Sequence, residues 1–295
     1  MVKHELKRLP KSTVELLITL SPDEVSKHYQ TSFDTLHQEL TIEGFRKGKA
    51  PKSIAEKHIS KEKVYNHMVP NMLPGIYEAI VKQENLKPIV SPQVELVSAK
   101  DNEEWQFRIR VAEKPVIDLK DYKKKIKEVN SATKKTNIWV PGQEGAQSSA
   151  AKTPGDDESA DKQKNLNEIL STLLRSTSVE VPDLIVQEEM NQRLSRLLDD
   201  IQKLGLTADA YLKSKNTTMD ELKSRMAKEI EDTYKIEFLL AEIADQENIT
   251  IDQKEMDSLF ATIKDEAERK TAQENAYFYA SVLRKQKTLE MLRSL

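Results

Sequence analysis

The hydrophobic period of this chain changes at residues 21–24, and that change sets what its first part can fold into. Val14, Leu16, Ile18 and Leu20 fall on alternate positions, so all four share one face of a strand. Ser21-Pro22-Asp23-Glu24 follows at once. Serine serves as N-cap, Pro22 suits the first helical position, and Glu24 completes a capping box. Val25, Tyr29, Phe33, Leu36 and Leu40 then recur at helical spacing. Gly44 ends that helix, because glycine tolerates the left-handed residue that commonly follows one.

Pro51 can start the next helix, with Ile54 and Ala55 turned inward. A further helical pattern over residues 61–84 carries Val64, Met68, Met72, Ile76 and Ile80. Pro70 and Pro74 interrupt it, which predicts two helices or one kinked one. Strand patterns return at residues 93–99 and 104–113. In the second, Trp105, Phe107, Ile109 and Val111 face one way, and Gln106, Arg108 and Arg110 the other. The order of strand, helices and hairpin predicts an α+β amino-terminal domain, strands packed with helices, over residues 1–125.

Residues 141–161 hold no large aliphatic or aromatic side chain and read as a flexible linker. A coil of that length spans roughly 25 Å on average. The lysine-rich run over residues 120–135 reads as an extended arm or strand. Ile138, Trp139 and Val140 form an apolar island suited to docking on a neighbouring surface. Arm and linker together occupy residues 126–165.

Residues 166–295 read as an all-α, extended carboxy-terminal domain. Leu166, Ile169, Leu170, Leu173 and Leu174 make one short apolar stripe. Val181-Pro182-Asp183 opens a long helix that Gly205 stops. Thr218 with Glu221, Thr250 with Gln253, and Thr271 with Glu274 each read as caps of later helices. The apolar spacings vary too much for a sustained heptad, which argues against a simple coiled coil.

Composition narrows the function classes. The chain is 32% charged and 38% hydrophobic, with 7 glycines and 5% aromatics, which points to much helical surface per residue. It has no cysteine, so neither disulfides nor thiolate metal sites arise. His4, His28, His37, His58 and His67 show no metal-ligand spacing, and no phosphate-cradling glycine loop or nucleophile elbow occurs. We therefore expect no cofactor, no metal and no catalytic residue. No run of ~18 apolar residues is present, and residues 1–20 lack a signal-peptide core, so a cytoplasmic protein without a membrane partner is expected. Residues 1–130 carry 23 basic and 19 acidic side chains and the remainder 23 and 30, so only the first part suits a polyanion.

One loop stands out. Gly44-Phe45-Arg46-Lys47-Gly48-Lys49-Ala50-Pro51 places one aromatic ring, three cations and two glycines between two helical patterns. Read alone, it could be a solvated turn with Phe45 folded back on its own domain. A rigid loop of this composition can also grip an acidic, partly apolar surface.

This octet, the capped helix before it and the strand pair after it resemble the ribosome-binding domain of the trigger factor family, bacterial chaperones at the nascent-chain exit. The family signature is Gly-Phe-Arg-x-Gly-x-x-Pro, and Gly44, Phe45, Arg46, Gly48 and Pro51 match it fully. The likeness covers residues 1–125 in element order and resumes at Val179-Glu180-Val181-Pro182-Asp183-Leu184-Ile185. Residues 207–295 follow the same helical order more loosely.

The resemblance implies that Phe45, Arg46 and Lys47, with Lys49 beside them, dock on ribosomal protein and RNA at the tunnel exit. Gly44 and Gly48 would shape the loop, and Pro51 would anchor the next helix. The helical part would hold unfolded nascent polypeptides on scattered apolar surface without ATP. A homodimer through exposed apolar faces stays open. One departure is large: the family usually carries a peptidyl-prolyl isomerase domain where this chain has residues 130–165. Stretches below ~40 residues do not normally fold alone, so no isomerase activity is expected. A divergent prolyl isomerase and a free holdase or assembly factor remain the alternatives.

Overall fold

In a computed structural model, which describes residues 2–100, 102–136 and 156–295, the alternating segment at the start of the chain is an inner strand of a four-stranded antiparallel sheet. The strands are β1 (Lys3–Leu9), β2 (Thr13–Leu20), β3 (Gln93–Ser98) and β4 (Trp105–Ala112), in the order β1-β2-β4-β3. The register sets Val14 opposite Val111, Leu16 opposite Ile109, Ile18 opposite Phe107 and Leu20 opposite Trp105. All eight are buried. At about 1.5–3 kcal/mol for each large side chain removed from water, this double row is the main stabilising layer of the domain. The polar face carries its own ladder, with Arg108 3.0 Å from Glu95 and Arg110 3.2 Å from Glu15.

Helices α1 (Pro22–Glu39), α2 (Lys52–His58) and α3 (Lys61–Gln83) come between the two halves of the sheet in sequence. The Ser21–Glu24 capping box forms as expected. Val25 of α1 and Met68, Met72, Leu73 and Ile80 of α3 join the core of the sheet. Tyr65 stands edge-on to both Tyr29 and Trp105, at centroid distances of 5.4 and 4.9 Å. Helix α3 runs unbroken through Pro70 and Pro74, so the alternative of two helices falls away. Both prolines lie on its exposed side, where water can satisfy the carbonyls they leave unbonded.

By their contacts, the described residues divide into Met1–Lys114 with Pro182–Ile185 as one unit, and Pro115–Val181 with Val186–Leu295 as the other. The second unit is helical: α4 (Tyr122–Thr136), α5 (Asp156–Ser176), α6 (Asp183–Lys203, whose first three residues group with the first unit), α7 (Ala208–Ser214), α8 (Met219–Gln246), α9 (Gln253–Thr262), α10 (Glu266–Glu274) and α11 (Ala276–Ser294). Ile126, Ile169, Leu173, Leu239, Ile243 and Leu292 fill its main core. Asn130 is buried there, donating to the Leu292 carbonyl at 3.0 Å and accepting from Asn165 at 3.2 Å.

Several expectations need correction. The lysine-rich run is not an extended arm. It is helix α4, because Tyr122, Ile126 and Asn130 recur every four residues and turn one face into the core. The cap of α9 is Asp252 with Glu255, not Thr250 with Gln253. The preceding backbone is held out of the helix: the Ile249 N–H donates to Ala244, and the carbonyls of Ile249 and Thr250 accept from Arg284 and Lys287. Thr271 lies inside α10 and donates to the Ala267 carbonyl, while Asp265 caps that helix. The apolar island at 138–140 and linker positions 141–155 lie outside the described residues, whereas linker positions 156–161 are not coil but the first turns of α5.

Candidate functional site

The octet begins where α1 runs out. The helix stops at Glu39 with Leu40 in extended conformation, so Gly44 does not cap it as expected. Gly44 instead sits in a tight turn in which the Phe45 N–H donates to the Ile42 carbonyl at 3.1 Å. Its φ of +84° is the left-handed geometry that favours glycine. Gly48 is left-handed as well, at +69°.

The loop then folds back on the helix that launched it. The Gly48 N–H donates to the Leu40 carbonyl at 3.0 Å, and the Lys49 N–H to the Arg46 carbonyl at 2.9 Å. The Ala50 carbonyl lies 2.6 Å from His37 Nε2. A carbonyl only accepts, so Nε2 carries the proton and donates. The imidazole stacks on Phe33, with centroids 6.2 Å apart. Lys52 Nζ lies 2.7 Å from Asp34 Oδ1, and this hydrogen bond holds the Asp34 carboxyl below the usual range. Pro51 is the N-cap residue of α2, and its carbonyl accepts from Ile54 and Ala55. Beneath lies a small apolar cluster of Phe33, Ala55, Ile59 and Val64, packed with Tyr29, Leu36 and Leu40.

The frame leaves the tip outside. Phe45 is 40% exposed, whereas Ala50 is buried. Arg46, Lys47 and Lys49 are exposed and make no ion pair among the described residues. Phe45 therefore stays partly outside its own core, beside three exposed cations. Every octet residue singled out from sequence thus lies in one loop, with Gly44, Phe45, Arg46, Lys47 and Lys49 outward and Gly48 and Pro51 in the frame. Sequence reading missed His37 and the Asp34–Lys52 pair. His37 follows Phe33 by one helical turn, a spacing that places both on one side of α1.

The second unit exposes apolar side chains of its own. A cleft of about 230 Å³ between α6, α7 and α8 is lined by Leu194, Leu197, Ile201, Tyr211, Leu212 and Leu222. Leu198, Leu204 and Leu206 are exposed on the same unit, as are Tyr277, Phe278 and Val282 on α11. No helix among the described residues is long and apolar enough to cross a membrane. No group of three or more His, Asp or Glu among them could hold a metal ion.

Residues 2–138 match the family described as bacterial trigger factor protein (TF), and residues 154–294 match the family of its C-terminus. The chain is 36% identical over 121 residues to the trigger factor of Moorella thermoacetica, covering 41% of this chain and 27% of that protein. It is 38% identical over 114 residues to that of Carboxydothermus hydrogenoformans, covering 39% and 27%. The matched stretch is thus about a quarter of these relatives' length. A solved structure from work on promiscuous substrate recognition by the trigger factor chaperone superposes with a TM-score of 0.64. It covers 98% of this chain and 99% of that one at 14% identity, a likeness of fold.

Proposed function

Since the chain belongs to the trigger factor family, we propose that it is an ATP-independent cytoplasmic chaperone that docks on ribosomes near the nascent-chain exit. The observation that carries this reading is the braced loop: a half-exposed Phe45 beside three cations that make no ion pair among the described residues, on a frame tied back to α1. Arg46 can pair with a carboxylate or phosphate, Lys47 and Lys49 add point charges, and Phe45 fills an apolar notch. Gly44, Gly48 and Pro51 give the loop its shape. The partner is ribosomal protein with nearby ribosomal RNA.

In this reading residues 1–125 bind the ribosome and residues 166–295 hold emerging unfolded chains. The apolar cleft between α6, α7 and α8 and the exposed aromatic end of α11 supply contact surface for such segments. The protein acts as a binder and not as an enzyme. The two family matches leave only residues 139–153 between them, too few to fold as a separate isomerase domain.

The test is co-sedimentation. Phe45→Ala with Arg46→Ala and Lys47→Ala should abolish pelleting with ribosomes while leaving the unfolding midpoint unchanged. Pelleting at the level of the unaltered protein would overturn the docking assignment.

A further inference from the structure

We propose that His37 is the positioning residue of the docking loop, holding Phe45 and its neighbouring cations in binding geometry through the Ala50 carbonyl. The inference rests on the reading of residues 44–51 as the ribosome contact. Its basis is the way the loop is closed. From Leu40 to Pro51 the chain has no regular secondary structure, and a segment that long pays heavily in entropy when a partner orders it.

Besides the Asp34–Lys52 ion pair, two hydrogen bonds run from the end of α1 to the far side of the loop: Gly48 N–H to the Leu40 carbonyl, and His37 Nε2 to the Ala50 carbonyl. The first is backbone to backbone and needs no side-chain donor. The second needs a side chain of the right length carrying a donor, and among the described residues His37 supplies it. Its ring is fixed from below by Phe33, and its acceptor residue Ala50 is 6% exposed. The donor is thus held at a defined point, and the carbonyl it meets is largely screened from competing water. Pro51 follows immediately and starts α2. The tie therefore sets where the loop hands over to the next helix, and with it the span across which Phe45, Arg46 and Lys47 are presented. His37 touches no partner; it acts by keeping the free loop in its bound shape.

The experiment compares His37→Phe, which keeps the stack on Phe33 and removes the donor, with His37→Gln, whose amide nitrogen falls near the place of Nε2. His37→Phe should weaken ribosome affinity about three- to tenfold, the range one net hydrogen bond supports. It should also speed amide exchange at Gly48, with the unfolding midpoint held. His37→Gln should restore both. Equal affinity and exchange in His37→Phe and the unaltered protein would overturn the proposal.

The Phe45, Arg46 and Lys47 triple variant is run beside them. If it still binds ribosomes, the docking reading fails and amide exchange alone decides the role of His37. Nitrogen chemical shifts of the His37 ring, recorded at about pH 8.5 where an ordinary imidazole is neutral, give a readout on the unaltered protein. Protonated Nε2 and bare Nδ1 are expected; the opposite tautomer overturns the tie.

Discussion

A β-carbon placed on Gly48 would stand 2.5 Å from the carbonyl oxygen of Gln38 and 2.9 Å from its α-carbon. No rotamer relieves this, because both neighbouring atoms are backbone. The return of the loop onto α1 is therefore possible only with glycine at position 48. Gly44 is also left-handed, yet a β-carbon there would meet nothing within 4 Å.

The two glycines should consequently respond differently to alanine. At both positions the left-handed backbone costs about 1–2 kcal/mol. At Gly48 the overlap with Gln38 comes in addition and must push the loop off the helix. Gly48→Ala should lower the urea midpoint more than Gly44→Ala, by a further ~1 kcal/mol or more. It should also cut ribosome affinity. Equal midpoints for the two variants would mean that the close approach is not maintained in solution.

The four cations of this region should not contribute alike to binding. Lys52 is engaged by Asp34 at 2.7 Å, whereas Arg46, Lys47 and Lys49 have no such partner among the described residues. Affinity measured over a series of salt concentrations should give a slope that falls by about 1 for each free cation that faces a phosphate. Lys52→Ala should change the slope by clearly less. A Lys52 variant as damaging as Arg46→Ala would place the contact on the wrong side of the loop.

In the helical unit, Tyr122 and Glu247 make a pH-dependent brace. The Tyr122 hydroxyl donates to Glu247 at 2.8 Å, and Lys123 Nζ lies 2.7 Å from the same carboxylate. Burial, and then the hydrogen bond to Glu247, pushes the Tyr122 hydroxyl well above its ordinary value. Hydrogen bonds from Lys123 and Tyr122 hold Glu247 below its own.

The signs follow from linkage. The raised tyrosine contributes stability that is complete below about pH 10 and is lost as pH climbs through the folded value. The lowered glutamate contributes stability present above about pH 4.3 and lost as pH falls through its depressed value. Tyr122→Phe should cost about 1 kcal/mol at neutral pH and flatten the alkaline limb of the unfolding midpoint against pH. An alkaline limb identical in both proteins would exclude Tyr122 as its source.

Most of the first domain was legible because its apolar periods are clean. Strand β2, its partner β4 and the capped helix α1 lie where alternation and the capping box put them. Strand β1 escaped notice. It is an edge strand in which His4, Leu6 and Arg8 hold the positions opposite Ile18, Leu16 and Val14, so two of its three inward positions are not apolar.

Helix α4 was misread for a related reason. A lysine on most exposed turns and a buried asparagine at the third inward position hide its stripe. The octet was legible as a motif, since the signature itself is local. Its bracing was not: His37–Ala50 and Asp34–Lys52 join residues 13 and 18 positions apart, and no periodicity reports a contact made across a turn.

Tyr29 packs against both apolar clusters of the amino-terminal domain, the one under the sheet and the one under the loop. In mechanical terms α1 is a beam set at one end into the sheet core through Val25, with the loop mounted on its other end through Phe33 and His37. Load applied at the tip passes along the beam to the Tyr29, Tyr65 and Trp105 rings and into β4. A tug on the loop is thereby resisted by the whole core, and not by a flexible hinge at its own root.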